Sequence, residues 1–286
     1  MRRSCDLHLH TTASDGTLTP RELVSLADRE GIHTVAITDH DTVSGLDEAR
    51  AALPSHMTLI GGVEFSCIYD KNPCFLFHLL GYGIDPSSPE IRALVDLGYR
   101  ERLNKHARRC EYLERTCGIT FTDEERDYFA TRPAVGRLHL AEAFVRRGLA
   151  STKQEAILKY MKSPDFPEGS LSAETAIDGI IRAGGIPVYA HPLGGECEKR
   201  ITVEECERRL LLLKAIGVCG VECYYSRYSE EDEGYLLSLA EKHGLLVSGG
   251  SDFHGKNKTV RIGNLSDSGR YVSPDDLSVL SALFKG

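Results

Sequence analysis

Four short segments carry imidazoles and carboxylates to the points where apolar runs stop. They are Asp6-Leu7-His8-Leu9-His10, Thr38-Asp39-His40-Asp41, Ala190-His191-Pro192 and Ser251-Asp252-Phe253-His254. Neutral imidazole nitrogen and ionised carboxylate oxygen are donors for divalent zinc, manganese and iron, and strand ends hold such donors rigidly. In an extended strand, residues two apart point to the same side, so His8 and His10 would grip one ion together while Leu7 and Leu9 face the other way. Taken alone, the pair suits a half-buried strand as well as a chelate. Four recurrences in one chain favour a multinuclear metal site.

Those donors need a scaffold. Cys5 to His10 reads as a strand, and Thr19-Pro20-Arg21-Glu22 then opens a helix with Thr19 as N-cap, Pro20 in first position and Gly31 as its end. An apolar run from Thr34 to Thr38, a helix from Ser44 to Leu53, a second run from Leu59 to Glu64 and a strand from Phe75 to Tyr82 follow. Strands alternating with helices predict parallel pairing, in a doubly wound sheet or a barrel. From Ser87 to Ser172 the rhythm breaks. Glu90 to Cys117, Thr122 to Phe129, Arg137 to Arg147 and Thr152 to Met161 read as helices with no strand among them, an all-helical insertion. Alternation then resumes with helix Ala173 to Ala183, strand Ile186 to Ala190, helix Val203 to Ala215, strand Val218 to Tyr224, helix Glu230 to His243 and strand Leu245 to Ser248.

In parallel α/β folds, catalytic residues gather at the carboxyl ends of strands. His8 and His10 follow the first strand, His40 the second, Glu64 the third, His191 the fifth, and Asp252 with His254 the last. His78 lies within the fourth, and Asp15 sits on the first loop in Ser14-Asp15-Gly16. Packing alone is a poor account of six of the eleven histidines, with three acids, at one sheet edge. Either Asp39 or Asp41 would orient the His40 imidazole, as metal-bound histidines require, with a helix cap or turn an equal use for Asp41. His33, His56, His106 and His243 fall elsewhere and read as surface residues.

Composition sets the bounds. The chain has 286 residues, 41% of them hydrophobic and 27% charged, an ordinary globular balance near the ~250 residues typical of a barrel enzyme. A net charge of −8 argues against a broad nucleic-acid surface, leaves room for a local basic pocket that holds a small phosphate, and favours metal cations. Nine cysteines without C-x-x-C spacing suit free thiols in a reducing cytoplasm. The start, Met1-Arg2-Arg3, is charged, but Asp6, His8 and His10 interrupt the apolar region a secretion signal needs. The apolar stretches Leu210 to Leu213 and Ile216 to Val221 are too short for a membrane span, and no obligate protein partner is evident.

Asp6-Leu7-His8-Leu9-His10, Ser14-Asp15-Gly16, Thr38-Asp39-His40-Asp41, Gly62-Val63-Glu64 and Ser251-Asp252-Phe253-His254 resemble the PHP (polymerase and histidinol phosphatase) superfamily along nearly the whole chain. The resemblance implies a distorted seven-stranded (β/α) barrel over residues 1–86 and 173–286, with residues 87–172 as a helical insertion that contributes to substrate binding. It also implies three divalent ions, manganese, iron or zinc. His8, His10, Glu64 and Asp252 would hold one. Glu64 would bridge to a second, held with His78 and His191, and Asp15, His40 and His254 would hold a third.

Three clustered ions call for a phosphate ester, because they polarise phosphoryl oxygens and lower the pKa of water towards about 7 from 15.7. Metal-activated hydroxide is then the expected nucleophile, with His191 and Asp252 as catalytic members of the set. No Gly-x-Ser-x-Gly is present, and a covalent phosphoenzyme is not expected. Arg132-Pro133-Ala134-Val135-Gly136-Arg137-Leu138-His139-Leu140-Ala141 and Glu222-Cys223-Tyr224-Tyr225-Ser226-Arg227-Tyr228 set arginine, the side chain suited to bidentate phosphate binding, beside turns and strand ends. An exposed helix residue for Arg137 and a loop ion pair for Arg227 are the bland alternatives.

Together these two segments resemble the PHP subfamily that acts on nucleotides, whose insertion carries a Gly-Arg-Pro-His motif; here Leu138 stands in place of the proline. That resemblance implies phosphate contacts from Arg137, His139 and Arg227. It also implies hydrolysis of small nucleotides such as nucleoside 3′,5′-bisphosphates or 5′-mononucleotides, extending to short RNA 5′ ends. Tyr224, Tyr225 or Tyr228 would stack on a base or fill the core. The run Arg100, Arg102, Lys105, Arg108 and Arg109 reads as a solvated helix face, with guidance of a polyanion as its other use. Histidinol-phosphate phosphatase and a non-catalytic PHP module are the competing readings.

Overall fold

A computed structural model describes residues 4–69, 75–132, 135–162, 171–196 and 198–284. Met1-Arg2-Arg3, Pro133 and Ala134 of the arginine motif, and Cys74 and Cys197 lie outside the described residues. Strands β1 (Ser4–Leu9), β2 (Ile32–Ile37) and β3 (Thr58–Tyr69) run parallel, connected through helices α1 (Pro20–Arg29) and α2 (Leu46–Ala52). Helix α1 begins as its residues dictate: the Thr19 side chain caps the Glu22 N–H and Glu22 caps the Thr19 N–H, which satisfies two donors that helix geometry leaves open. Gly31 leaves at φ 74, a backbone open to glycine without strain.

Strand β4 (Phe75–Tyr82) is antiparallel to β3. This strand departs from the parallel pairing that the alternating segments predict, and the reason lies in chain length: five residues separate Tyr69 from Phe75, whereas a parallel partner needs a crossover of about a dozen or more. Next come α3 (Pro89–Cys117), α4 (Asp123–Ala130), α5 (Arg137–Arg146) and α6 (Lys153–Tyr160), a two-residue β5 (Leu171–Ser172) and α7 (Ala173–Arg182). Strand β5 pairs with the far end of β3, so a strand does occur in the stretch read as purely helical. Strand β6 (Ile186–Tyr189) pairs antiparallel with β4. Helix α8 (Val203–Ala215), β7 (Gly220–Tyr225), α9 (Glu230–His243) and β8 (Leu246–Gly250) then restore parallel pairing, and α10 (Ser278–Leu283) follows.

The result is a mixed eight-stranded sheet of order β1-β2-β3-β4-β6-β7-β8 with β5 beside β3. Its first and last strands meet just past β8. Leu9 bridges Phe253, the His10 N–H donates to the Phe253 carbonyl at 3.0 Å, and the Asp252 N–H donates to the His8 carbonyl at 2.9 Å. Strand β1 packs against two apolar clusters, Leu7 joining Phe65, Leu79 and Tyr82 in one and Leu9 joining Leu23, Ile37 and Met57 in the other. Alternation along β1 sends His8 and His10 to the opposite side.

Helices α3 to α6 bury a cluster of their own, with Tyr112, Leu113, Phe121, Phe129, Leu140 and Phe144. Along α3 the buried residues are Ile91, Leu94, Gly98, Arg102, Lys105, Arg109, Tyr112 and Leu113. Steps of three and four place them on one face. That face is apolar at both ends and cationic in the middle, which packing alone does not produce. Among the described residues no helix is long and apolar enough to cross a membrane, and seven cysteines are free thiols.

Candidate metal centre

Glu64 stands at the middle of the site. It lies inside β3 rather than after it, because β3 runs on to Tyr69 in its hairpin with β4. Oε2 of Glu64 lies 3.3 Å from His8 Nε2, 3.2 Å from His10 Nε2 and 3.0 Å from His40 Nδ1, while Oε1 lies 3.1 Å from both His78 Nδ1 and His191 Nε2. Asp252 Oδ1 approaches His8 Nε2 at 3.6 Å and His10 Nε2 at 3.3 Å. Asp15 meets His254 Nε2 at 3.2 Å and His40 Nε2 at 3.8 Å. His78 joins because β4 is antiparallel: its amino-terminal half lies at the end where the parallel strands finish.

All nine residues expected to ligate are therefore brought together. The groups whose donor atoms converge are His8, His10 and Asp252; His10, Asp15, His40 and His254; His40, Glu64 and His78; and His78, His191 and Glu198. Glu198 is an acid the sequence reading did not single out. It lies 3.2 Å from His191 Nδ1 and 4.0 Å from His78 Nδ1.

The donor chemistry fits divalent cations. His8 Nε2, both ring nitrogens of His10, His40 Nδ1 and Glu64 Oε2 are buried without a hydrogen-bond partner, and leaving such atoms unpaired costs about 1–3 kcal/mol each. Converging on cations would satisfy them together. Charge points the same way. Burial alone would push the Asp15, Glu64 and Asp252 carboxyls up, yet the neighbouring imidazoles, joined at Asp252 by Lys258, hold all three well below the usual carboxylate range. Burial would push His10 down, yet Asp252 and Glu64 raise it to about 9. The three carboxylates are thus held ionised, as metal ligation requires, while burial and the neighbouring cations lower His40 and His254.

Surrounding residues fix this arrangement. Glu222 Oε1 takes His8 Nδ1 at 2.9 Å and its Oε2 accepts the His191 N–H at 2.7 Å, so one carboxylate orients two of the imidazole residues. Asp6 accepts the N–H groups of His8, Ser251 and Gly263. Asp39 accepts Thr11 and Ser14, pinning the loop that bears Asp15, and Asp41 accepts Arg102 and the Ser66 N–H. Neither aspartate is bonded to the His40 ring, which corrects that expectation. His191 (φ 28), Asp252 (φ 57) and Asp41 (φ 53) hold left-handed backbone, a strain of order 1–3 kcal/mol each that persists where surroundings over-determine it.

A cavity of about 320 Å³ opens onto the cluster. It is lined by Asp15, His40, His78 and His254 of the cluster, by Arg102, Lys105 and Arg109 of α3 with Arg137 and Lys153, and by the apolar Leu76, Phe77, Leu138 and Ile157. The reading of the α3 run as a solvated face is overturned for Arg102, Lys105 and Arg109, which are buried, while Arg100 and Arg108 are exposed. Sequence spacing held that signal, since 102, 105 and 109 share a face with Ile91 and Tyr112.

The residues expected to bind phosphate are placed differently from one another. Arg137 lines the cavity. His139 is buried and its Nδ1 accepts the Gly136 N–H at 3.0 Å, capping its own helix. Arg227 is exposed and pairs with Glu196 at 2.6 Å, and Glu196 in turn lines the cavity. Tyr224, Tyr225 and Tyr228 are buried in the core; the Tyr225 hydroxyl donates to Asp252 Oδ2 at 2.8 Å and the Tyr228 oxygen accepts the Leu193 N–H at 2.8 Å. Their use is internal. His56 pairs with Asp28 and His243 with Glu207 near the surface, but His106 is partly buried against Phe129, which corrects its surface reading.

Comparison with known proteins points to one family. The family described as PHP domain matches residues 6–161. A 3′,5′-nucleoside bisphosphate phosphatase of Chromobacterium violaceum is 32% identical over 268 residues, 92% of this chain and 91% of the relative. The 5′-3′ exoribonuclease Rnm of Escherichia coli K12 is 33% identical over 269 residues, 90% of this chain and 87% of the relative. A crystal structure from Bifidobacterium adolescentis, assigned as a metal-dependent phosphoesterase, superposes with TM-score 0.81 at 30% identity, covering 99% of this chain and 96% of that one.

Proposed function

The chain belongs to the PHP family of metal-dependent phosphoesterases, and from that premise we propose that it removes phosphate from small nucleotides, nucleoside 3′,5′-bisphosphates foremost, with 5′-mononucleotides and short RNA 5′ ends as related substrates. One observation carries the reading: the cavity that opens onto the ligand cluster is also lined by Arg102, Lys105, Arg109 and Arg137. A phosphate ester with one phosphate at the cluster would meet cations with another. Arginine guanidinium groups suit that second phosphate by bidentate bonding. The similarity to a bisphosphate phosphatase over 92% of the chain supports the same choice.

We assign three divalent ions, manganese, iron or zinc, to His8, His10, Glu64 and Asp252; to Glu64, His78 and His191; and to Asp15, His40 and His254. Ions held there supply polarisation of the phosphoryl oxygens and acidification of water towards about pKa 7. The chain's own groups do the rest. His191 and Asp252 are fixed by Glu222, Tyr225 and Lys258 and hold the reacting end of the cluster rigid. Arg137 contacts substrate, His139 caps and so orients the first turn that carries Arg137, and Arg227 holds Glu196 at the rim. In this reading residues 87–172 bind substrate, residues 1–86 and 173–286 hold the ions, and the free thiols suit the cytoplasm.

Phosphate release measured with manganese over adenosine 3′,5′-bisphosphate, AMP, histidinol phosphate and a 5′-phosphorylated trinucleotide tests this. The bisphosphate should give the highest kcat/KM. A higher value for histidinol phosphate would overturn the nucleotide reading, and full metal content with no turnover of any ester would favour a non-catalytic module.

A further inference from the structure

We propose that Lys258 is a catalytic residue whose ammonium bonds a non-bridging oxygen of the phosphoryl group being transferred. Lys258 lies four residues beyond His254 and lines the cavity beside Asp15, His40 and His254. Its Nζ sits 2.5 Å from Asp252 Oδ2, an oxygen that already accepts the Tyr225 hydroxyl at 2.8 Å, while Asp252 Oδ1 is turned to His8 and His10. Asp252 thus has a bond at Oδ2 without Lys258. An ammonium carries three donors; one goes to Asp252, and among the described residues no other hydrogen-bond acceptor takes the remaining two. The cavity in front of the ligands is where they can be used.

The loop is anchored on several sides, which aims the lysine before substrate arrives. The Lys256 N–H donates to Thr17 Oγ1 at 2.9 Å, Asn257 Nδ2 donates to the Asp15 carbonyl at 2.7 Å, and Lys153 Nζ donates to Asn257 Oδ1 at 2.7 Å. Gly255 turns at φ 64, where an added Cβ would come within 2.0 Å of Thr17 Oγ1. A pre-aimed donor is the kind that stabilises developing charge without reorganisation. Of the α3 cations that also line the cavity, Arg102 is already engaged by Asp41 and Ser66.

Hydrolysis forms a bond from water oxygen to phosphorus, breaks the bond from phosphorus to the leaving oxygen, and passes one water proton to the departing alcohol. Lys258 takes no part in that proton transfer. It keeps its proton throughout and answers the charge on the phosphoryl oxygens, which is shared out differently in the transition state. The assignment rests on the phosphoesterase chemistry and not on which nucleotide is preferred.

Lys258→Met and Lys258→Arg, compared with the wild type on p-nitrophenyl phosphate and adenosine 3′,5′-bisphosphate, decide the matter. Lys258→Met should lose about 100-fold in kcat, the scale for one transition-state donor, with an unchanged manganese content by elemental analysis, and Lys258→Arg should recover part of the loss. Orthovanadate, a mimic of five-coordinate phosphorus, should bind Lys258→Met about 100-fold more weakly while inorganic phosphate weakens only about threefold. Wild-type kcat in Lys258→Met, a parallel loss of manganese, or equal weakening of vanadate and phosphate would each overturn the assignment. Turnover of p-nitrophenyl phosphate without turnover of the bisphosphate would instead defeat the nucleotide reading, with Lys258 still judged on the first substrate.

Discussion

His10 shows the logic of the site at the scale of one residue. Both of its ring nitrogens are buried without a hydrogen-bond partner, and Glu64, Asp252 and Asp15 surround it. Ring nitrogens that face three carboxylates without a formed hydrogen bond suit the role of cation ligand proposed for His10. Replacing His10 with alanine should therefore remove an ion and nearly all turnover while far-UV circular dichroism stays native, with the metal count per chain as the measurement. Retained metal and activity would return His8 and His10 to a packing pair. The pair was legible in sequence because strand period and donor spacing coincide. Glu198, Glu222 and Lys258 were not. Glu222 serves His8 from 214 residues away, and no local pattern distinguishes such a carboxylate from any other acid on an apolar strand.

Helix α3 carries the argument at the scale of an element. Its buried face runs from Ile91 and Leu94 through Arg102, Lys105 and Arg109 to Tyr112 and Leu113, so one periodic stripe joins the sheet, the cavity and the helical cluster. The helix and its length were readable from composition and periodicity. The burial of its cations was signalled only by the face they share with Ile91 and Tyr112, since a basic run taken alone has the same pattern whether it faces water or a cavity. Arg109→Gln should raise KM for a 3′,5′-bisphosphate about tenfold or more, the scale of a lost charged hydrogen bond, and change KM for a 5′-mononucleotide far less; equal effects on both would deny α3 the second phosphate.

The same helix holds a pH-sensitive group. Burial, with Arg109 and His139 nearby, lowers His106 from 6.5 to about 4. Above pH 6.5 it is neutral in both folded and unfolded chains and contributes nothing. As pH falls from 6.5 towards 4 only the unfolded chain takes the proton, so stability drops, by up to about 3 kcal/mol. Urea midpoints at pH 7.5 and 5.0 should fall less in His106→Gln than in the wild type.

At the scale of the whole molecule, the proposed ligands come from β1, the loop after it, the ends of β2, β6 and β8, and the middles of β3 and β4. Sequence order did not reveal how these elements close on one another. The antiparallel β4, which delivers His78, follows from a five-residue connection, and the meeting of β1 with the segment after β8 depends on the Leu9–Phe253 bridge. Each ion held among such residues cross-links segments far apart in the chain, and the unfolded chain offers no equivalent site. Binding must then stabilise the fold, by about 2.7 kcal/mol for a site at a hundredfold excess over Kd. At roughly 2–4 °C per kcal/mol for a chain near this size, removing metal with a chelator should lower Tm by about 5–10 °C. Added manganese should restore it, and His10→Ala should show a smaller span between the two states. A Tm indifferent to chelator would mean that the buried imidazoles and carboxylates neutralise one another, and that the cluster is a polar core and not a metal centre.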